Sequence, residues 1–309
     1  MRPFSPRGGN SASRCGSNPS RTSADRALLR GTLQVIPGPS SPPERWSRNR
    51  QHWDSTLDAR NLRESAAAAS VERELRLYET PDVRAAFEAL RPLDGRVVLD
   101  LGGGLGLIAI LLAREGAVAV VADVSPRRLR AARELARRAG VEGRVHFVLA
   151  EAEALPFRTG SLDRQTTKSV LIHTRLAPAA EELARTLCPR SGRAVFLEPM
   201  DRNPFANAYR RLFAPAIWRD ITDYFTPERF GVVRAAFRAR GFGSRLRPLY
   251  LTGFLASPFR YLLPLPKVAR LVEGVLLAVD SLLLRAAPAL WRRAWFGVLT
   301  IRPGRKAPP

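Results

Sequence analysis

The chain has 309 residues, enough to bury a sizeable core in one large or two smaller domains. Its formal net charge of +22 would suit a nucleic-acid partner. However, all but Lys168, Lys267 and Lys306 of the 50 basic residues are arginines spread along the chain, a pattern more typical of solvated helix faces. Two distant cysteines and no Cys/His cluster predict no metal site and favour a reducing, cytoplasmic setting.

The first part of the chain predicts a leader followed by helices. Residues 1–50 are rich in Ser, Pro, Gly and Arg and poor in acids, which predicts disorder or a start site assigned too far upstream. Such a composition is also typical of transit peptides, although its prolines argue against the amphipathic helix that these need. Residues 51–94 predict N-terminal helices, with two helices over residues 53–93 that are separated at Thr80-Pro81.

Residues 95–200 alternate short apolar stretches with helical patterns and predict the core of the fold. Strands are expected near Val97, Val118 and Val145, with one helix between each pair. This βαβαβ order indicates a parallel sheet with right-handed crossovers. In such a sheet, ligands bind at the carboxyl ends of the strands.

A glycine-rich turn follows the first strand and is the strongest functional signal in the chain. Within residues 97–106, the carboxylate of Asp100 is followed by glycines at alternate positions, Gly102, Gly104 and Gly106. Glycine permits positive φ and the close approach of a ligand to the backbone. The helix that starts after the turn adds free N–H groups and a positive dipole end. The turn therefore predicts a nucleoside cofactor.

Two cofactor patterns fit this turn. Residues 104–109 match the dinucleotide pattern G-x-G-x-x-G/A, and residues 100–106 match D-x-G-x-G-x-G. The carboxylate of Asp100 would repel a pyrophosphate, whereas it would attract the cationic sulfonium and amino groups of S-adenosylmethionine. Through the second pattern the chain resembles the class I S-adenosylmethionine-dependent methyltransferases. The resemblance implies that Asp100 and the three glycines bind this cofactor.

Two further segments extend the resemblance. Asp123 ends the second strand, near the ~20-residue spacing at which an acid accepts ribose hydroxyls, and Val124 would pack on the adenine. Residues 150–157, Ala-Glu-Ala-Glu-Ala-Leu-Pro-Phe, resemble the family's G-D-A-E-x-L-P-F. The resemblance implies that Glu151 accepts the adenine amino group and that Ala152 supplies a backbone N–H. A helix N-cap at Asp123 and an exposed acidic turn at Glu151 are the alternatives.

The fourth strand departs from the family pattern. Within residues 162–173, Arg164 and Gln165 replace the expected aliphatic residues, although a central parallel strand is buried on both faces. We therefore expect a distorted strand or polar groups that line a pocket, and a catalytically silent binding protein is one hypothesis. His173, which follows this strand, is a candidate general base, and Glu198, after the fifth strand, is a second catalytic candidate.

Residues 201–309 are expected to form a substrate and cap region with the final strands of the sheet, the last of them over residues 295–301. The aromatic, leucine-rich residues 250–291 predict a helical cap, with an apolar substrate pocket or a surface helix that contacts lipid as alternatives. No apolar run reaches the ~18 residues of a bilayer span, because Glu273 and Asp280 interrupt the best candidate.

The resemblance implies an α/β fold, a Rossmann-like, doubly wound and mostly parallel seven-stranded sheet with helices on both faces. It implies methyl transfer from S-adenosylmethionine to oxygen or carbon of a small, apolar molecule of the quinone-precursor or secondary-metabolite type. No specific nucleic-acid partner is expected. An RNA methyltransferase remains an alternative because of the net charge. An NAD(P)-dependent oxidoreductase remains another because of residues 104–109.

Overall fold

The computed structural model describes residues 44–55, 68–213, 217–256 and 266–304. Its strands are β1 Val97–Leu101, β2 Val118–Asp123, β3 Val145–Leu149, β4 Arg164–Lys168, β5 Arg193–Pro199, β6 Phe242–Leu249 and β7 Phe296–Pro303. Its helices are α1 Glu44–Ser55, α2 Ala68–Tyr78, α3 Pro81–Leu90, α4 Leu107–Arg114, α5 Pro126–Arg138, α6 Leu176–Thr186, α7 Pro204–Phe213, α8 Trp218–Ile221, α9 Pro227–Arg238 and α10 Pro266–Ala286.

The strands form one seven-stranded sheet in the order β3-β2-β1-β4-β5-β7-β6. The first five strands pair in parallel, and β7 pairs antiparallel with both β5 and β6. Side chains alternate across the sheet, so Val97 and Leu99 enter one hydrophobic cluster while Val98 enters the other. Helices cover both faces, and the predicted doubly wound architecture is confirmed.

The start of α4 and α5 follows from local chemistry. Gly106 precedes α4 with φ of 72°, a left-handed conformation that glycine adopts without strain. Ser125 caps α5, where its hydroxyl accepts a hydrogen bond from the Arg128 N–H at 3.0 Å, and Pro126 occupies the first helical turn. Both helices therefore begin after a short turn that follows a strand, and they direct their N-termini toward the carboxyl edge of the sheet.

The N-terminal region differs from the expectation in one respect. Helix α1 begins at Glu44, so the predicted disorder up to residue 50 is wrong for its last seven positions, and residues 1–43 lie outside the described residues. Helices α2 and α3 are separated at Glu79 and Thr80, as predicted from Thr80-Pro81. Tertiary contacts account for α1, because Asp54 accepts a hydrogen bond from the Ser125 hydroxyl at the start of α5.

Strand β4 is regular and is not the distorted strand that its polar sequence suggested. It pairs with β1 on one side and β5 on the other. Arg164, 2% exposed, donates hydrogen bonds to the backbone carbonyls of Leu90, Pro92, Asp163 and Ser191. Gln165 donates to the Leu183 carbonyl and the Thr186 hydroxyl. These partners replace the apolar packing expected of a buried strand.

The C-terminal region completes the sheet and caps it with helices, as predicted. The last strand, β7, covers the residues expected to end the sheet, and β6 forms its outer edge. The predicted cap over residues 250–291 contains α10, whereas residues 257–265 of that segment lie outside the described residues. Asn203 ties the start of α7 to this cap by donating to the carbonyls of Leu251 and Arg293.

Candidate functional site

A cavity of about 350 Å³ opens at the carboxyl ends of β1 to β4. This is the edge at which a parallel sheet with helices on both faces binds its ligands. Its wall combines the glycine turn, the ends of β2, β3 and β4, and side chains from the N-terminal helices. The polar and aromatic side chains around it are Trp53, Tyr78, Asp123, Arg128, Glu151, Glu153, Lys168, Ser169, His173, Thr174 and Arg175.

The backbone of the glycine turn disfavours side chains. Gly102 and Gly104 both have positive φ and line the cavity. A Cβ on Gly102 would lie 2.5 Å from Val170 Cγ2, and one on Gly104 would lie 3.1 Å from the Arg128 guanidinium. Gly106 is outside the lining and starts α4 instead. Two of the three predicted glycines therefore expose their backbone to the cavity.

Asp100 lies beneath the turn and outside the cavity lining. A Cβ on Gly103 would come within 2.6 Å of Asp100 Oδ2, so this carboxyl fills the space under the turn. Burial raises the pKa of Asp100 to about 7. The backbone N–H of Ala109 in α4 donates a hydrogen bond to this carboxyl. Asp100 therefore supports the turn by contacting the protein itself.

Asp123 lies at the end of β2 and lines the cavity. One carboxylate oxygen accepts the N–H of Gly104 at 3.0 Å, and the other accepts the N–H of Ser125 at 2.9 Å. Burial raises the pKa of Asp123, while these backbone donors favour its charged form. Because each carboxylate oxygen has two lone pairs, Asp123 keeps acceptor capacity for a ligand while it fixes the turn.

The three other residues predicted to bind a cofactor also line the cavity. Val124 follows β2, and Glu151 and Ala152 follow β3. Burial and the neighbouring Glu153 raise the pKa of Glu151. The structure therefore brings Asp123, Val124, Glu151 and Ala152 to one side of the cavity.

His173 lies at the end of a short 3₁₀ turn, Leu171–His173, and lines the cavity. Its Nδ1 lies 3.0 Å from the Ile221 carbonyl oxygen and 3.3 Å from the Thr222 hydroxyl. Because a carbonyl only accepts, the first contact assigns the proton to Nδ1 and makes Nε2 the basic nitrogen. The imidazole also packs edge-on against Trp53, with ring centroids 5.2 Å apart.

Glu198, the other catalytic candidate, lies outside the cavity lining and is fully buried. Its Oε1 accepts hydrogen bonds from the Thr167 hydroxyl at 2.8 Å and from the N–H groups of Leu171 and Val170. Burial raises the pKa of Glu198 to about 7. These contacts hold the turn that carries His173, so Glu198 is placed to position that turn.

Lys168 is a cavity residue that sequence reasoning missed as a site residue. Its ammonium forms an ion pair with buried Asp82 at 2.7 Å and lies over the Tyr78 ring at 4.9 Å. Asp82 also accepts a hydrogen bond from the Tyr250 hydroxyl at 2.8 Å. The sequence feature that could have drawn attention to Lys168 is the rarity of lysine, which occurs at only three positions in this arginine-rich chain.

Helix α1 closes the other side of the cavity, a contact that no local pattern indicated. Trp53 lines the cavity and lies under the Arg128 guanidinium, 4.5 Å from its ring centroid. Arg128 Nε also donates to the Trp53 carbonyl at 3.2 Å. Ser169, at the end of β4, was likewise missed and has a φ of 58°, which non-glycine residues seldom adopt.

The side chains around the cavity suit a polar organic ligand. The cavity lining combines carboxylates, cations and an imidazole with apolar side chains, and Arg128 lies close enough to Asp123 to favour its charged form. Among the described residues, no group of three or more His, Cys, Asp or Glu side chains is arranged to hold a metal ion.

Part of the core is similar to known methyltransferases. Residues 98–190 match the family model described as a methyltransferase domain. Methyltransferase GfsG of Streptomyces halstedii is 40% identical over 115 residues, which are 37% of this chain and 38% of that protein. Demethylmenaquinone methyltransferase of Clavibacter sepedonicus is 35% identical over 141 residues, which are 43% of this chain and 55% of that protein. The matched part thus spans about half or less of these curated relatives.

Solved structures agree on the fold. Geranyl diphosphate C-methyltransferase from Streptomyces coelicolor A3(2) superposes with a TM-score of 0.56, at 15% sequence identity, over 87% of this chain and 100% of that chain. Magnesium protoporphyrin IX methyltransferase from Synechocystis PCC 6803 superposes with a TM-score of 0.51, at 16% identity, over 86% of this chain and 100% of that chain. At these identities the likeness shows a shared architecture.

Proposed function

We propose that this chain, whose residues 98–190 match a methyltransferase-domain model, is a class I S-adenosylmethionine-dependent methyltransferase. It would transfer the methyl group of S-adenosylmethionine to oxygen or carbon of a small, apolar molecule. The observation that carries this proposal is the placement of the glycine turn, Asp123 and Glu151 around one cavity at the carboxyl edge of the sheet. Bound S-adenosylmethionine would supply a methyl group already activated by its sulfonium.

The residues around the cavity fit this cofactor. Gly102 and Gly104 form a cradle that a side chain would fill. The carboxylate of Asp123 would accept the ribose hydroxyls, and Glu151 would accept the adenine amino group beside the backbone of Ala152. The turn is held by Asp123 through Gly104 N–H, so the same residue that would bind the ligand also orients the turn around it.

Little chemistry is left for the protein beyond binding, alignment and exclusion of water. Trp53 and Arg128 cover the cavity on the side of α1 and would exclude water from it. His173 would remove a proton from a hydroxyl or an acidic carbon, because its Nδ1 contact with the Ile221 carbonyl makes Nε2 the base. Glu198 would act on His173 indirectly, through the turn that it holds.

The acceptor is proposed to be small and largely apolar. The aliphatic side chains of Leu101, Leu107 and Val170 line the same cavity as the aromatic rings of Tyr78 and Trp53. Relatives named for quinone and demethylmenaquinone methylation support the same acceptor class. Apolar acceptors of this kind partition into lipid bilayers, so contact of the protein with a membrane surface would bring it to them.

Calorimetric titration of the full chain with S-adenosylmethionine, S-adenosylhomocysteine and NADH tests the cofactor assignment. We expect both adenosyl ligands to bind and NADH to give no heat of binding. Asp123→Ala should weaken adenosyl binding by about 1–3 kcal/mol, because it removes the acceptor of buried hydroxyls. Asp220→Ala removes an exposed carboxylate and should bind normally. NADH binding without adenosyl binding would overturn the proposal.

Methyl transfer from labelled S-adenosylmethionine to hydroxylated quinol acceptors tests the chemistry. His173→Asn should lower kcat by roughly 10²–10⁴-fold, the contribution of a positioned general base, and leave S-adenosylmethionine binding nearly unchanged. Equal kcat in the variant would remove His173 from the mechanism while the cofactor assignment stands.

A further inference from the structure

Helix α10 is oriented by its two acids, both of which face the protein. Asp280 is buried and accepts the N–H groups of Leu251 and Thr252, each at 2.8 Å. Glu273 is also buried and lies 4.0 Å from the Arg84 guanidinium. Rotation of the helix about its axis would break these contacts and leave buried charges without partners. The rotational setting of α10 is therefore determined by polar contacts.

This orientation directs aliphatic side chains into solvent. Leu271, Val275 and Leu282 point away from the core and are 69%, 56% and 64% exposed. They follow one another along one side of the helix, because residues three, four and seven apart share a face. At 1.5 Å per residue they form an apolar stripe of about 17 Å. An ordinary surface helix directs charged residues to solvent and apolar residues to the core, whereas α10 buries its two acids and exposes these aliphatic residues.

Cations flank this stripe. Lys267, Arg270 and Arg285 are exposed, and α10 has no acid besides the two buried ones. The whole chain carries a net charge of +22, so a second copy of the chain would meet like charge. A surface that is both apolar and negatively charged would instead match the helix on both counts.

We propose that this outer face of α10 docks on the anionic phospholipid surface of a membrane, with the helix axis in the plane of the bilayer. Leu271, Val275 and Leu282 would enter the boundary between headgroups and acyl chains, while the flanking cations would contact lipid phosphates. Across the ranges that the structure covers, no helix is long and apolar enough to span a membrane, so α10 would lie on the surface. The inference rests on this face alone and is independent of the proposed methyl transfer.

Co-sedimentation of the full chain with vesicles of phosphatidylglycerol and phosphatidylcholine tests the proposal. We expect binding that is stronger than to vesicles of pure phosphatidylcholine and that weakens as salt is raised. The triple variant Leu271→Gln/Val275→Gln/Leu282→Gln keeps the charge and should lower the vesicle partition coefficient roughly tenfold or more. Val232→Gln on α9 is the control, since it removes an exposed aliphatic residue elsewhere.

A second pair of variants isolates the charge. Lys267→Gln/Arg270→Gln/Arg285→Gln should weaken binding to anionic vesicles and flatten its salt dependence. Arg130→Gln/Arg234→Gln/Arg238→Gln removes the same charge from exposed positions outside α10 and should bind almost as the unchanged chain does. Circular dichroism checks that each variant is folded. Binding that is insensitive to both α10 variants would overturn the proposal, as would self-association through α10 without vesicle binding.

Discussion

Strands β1 and β4 are neighbours in the centre of the sheet, and both are buried, but they are stabilised in different ways. Strand β1, Val-Val-Leu-Asp-Leu, is buried among aliphatic side chains from both layers of helices. Strand β4, Arg-Gln-Thr-Thr-Lys, has Arg164 and Gln165 hydrogen-bonded to backbone carbonyls of other segments. Apolar packing and hydrogen bonding to distant carbonyls can each stabilise a buried strand. Only apolar packing can be recognised from the strand's own sequence.

The two strands meet at the functional site. Gly102 follows β1 and Val170 follows β4, and a Cβ on the glycine would collide with the valine. Beyond this contact, the end of β1 offers backbone to the cavity, whereas the end of β4 offers Lys168 and, further on, His173. The glycine-turn side of the cavity is therefore built from local turn chemistry, and the side that carries Lys168 and His173 depends on long-range contacts.

Gly102→Val should produce the largest effect, because it drives the two strand ends apart. The residue has φ of 63°, and its Cβ would lie 2.5 Å from Val170 Cγ2. Strain at positive φ and overpacking together should cost about 3–5 kcal/mol. We expect this cost as loss of S-adenosylmethionine binding by calorimetry together with a lowered Tm.

Gly140→Ala separates the two causes of that effect. Gly140 also has positive φ, 70°, but nothing lies within 4 Å of its Cβ position. This variant should lose only about 1 kcal/mol of stability and bind the cofactor normally. An equally large loss at Gly140 would show that the collision with Val170 contributes little.

Arg164→Met tests whether β4 depends on its distant partners. The substitution keeps much of the side-chain volume but removes the donors to four carbonyls. We expect the free energy of unfolding to fall by about 2–4 kcal/mol in urea titrations. Arg130→Met, at an exposed helix position, should change it by less than about 0.5 kcal/mol. An unchanged midpoint for Arg164→Met would mean that apolar packing suffices for this strand.

A pH dependence of stability is also expected, because Asp100 in β1 and Glu198 in β5, which accepts from Thr167 of β4, are both buried carboxyls. Burial raises the pKa of both Asp100 and Glu198 to about 7, above the ordinary value near 4. Between those values the folded chain keeps protons that the unfolded chain has lost. The contribution of these two carboxyls to stability therefore falls as the pH rises from about 4 to about 7 and is level above that range.

Glu198→Gln should remove part of this slope, up to about 3 kcal/mol over the range at about 1.4 kcal/mol per pKa unit, because the amide stays neutral. Asp100→Asn should remove a similar part, and the two together should lower the slope further, while the raised pKa values of Asp123 and Glu151 keep some of it. Urea unfolding at several pH values measures the slope. A slope unchanged in both variants would show that these carboxyls are ionised in the folded chain.

The glycine-turn side of the cavity could be predicted from sequence to a large extent. The turn at Gly102 and Gly104, and the acids Asp123 and Glu151, occupy cavity positions because each lies at or shortly after the end of a strand of a parallel sheet. The carboxyl ends of such strands share one edge, so the order of elements along the chain is enough to bring them together. Gly106 and Asp100 were placed in the same turn, but they support it from outside the cavity lining.

The opposite side of the site could not be predicted in this way. Trp53 reaches His173 from a helix far away in the sequence, and Lys168 is held by Asp82 of α3. Glu198 was proposed as a catalytic residue because it follows a strand, yet its carboxylate turns into the protein and binds the turn before His173. The direction of a side chain at a strand end depends on which donors surround it, and those come from other segments.

The sequence by itself determined the alternation of strands and helices, the glycine turn and the acids at strand ends, because hydrophobic period and turn chemistry act over a few residues. Only the tertiary structure decided how β4 is buried, which residues close the cavity and which face of α10 meets solvent. These features depend on hydrogen bonds and ion pairs between segments that lie far apart in the chain. Their partners can be identified only once the chain has folded.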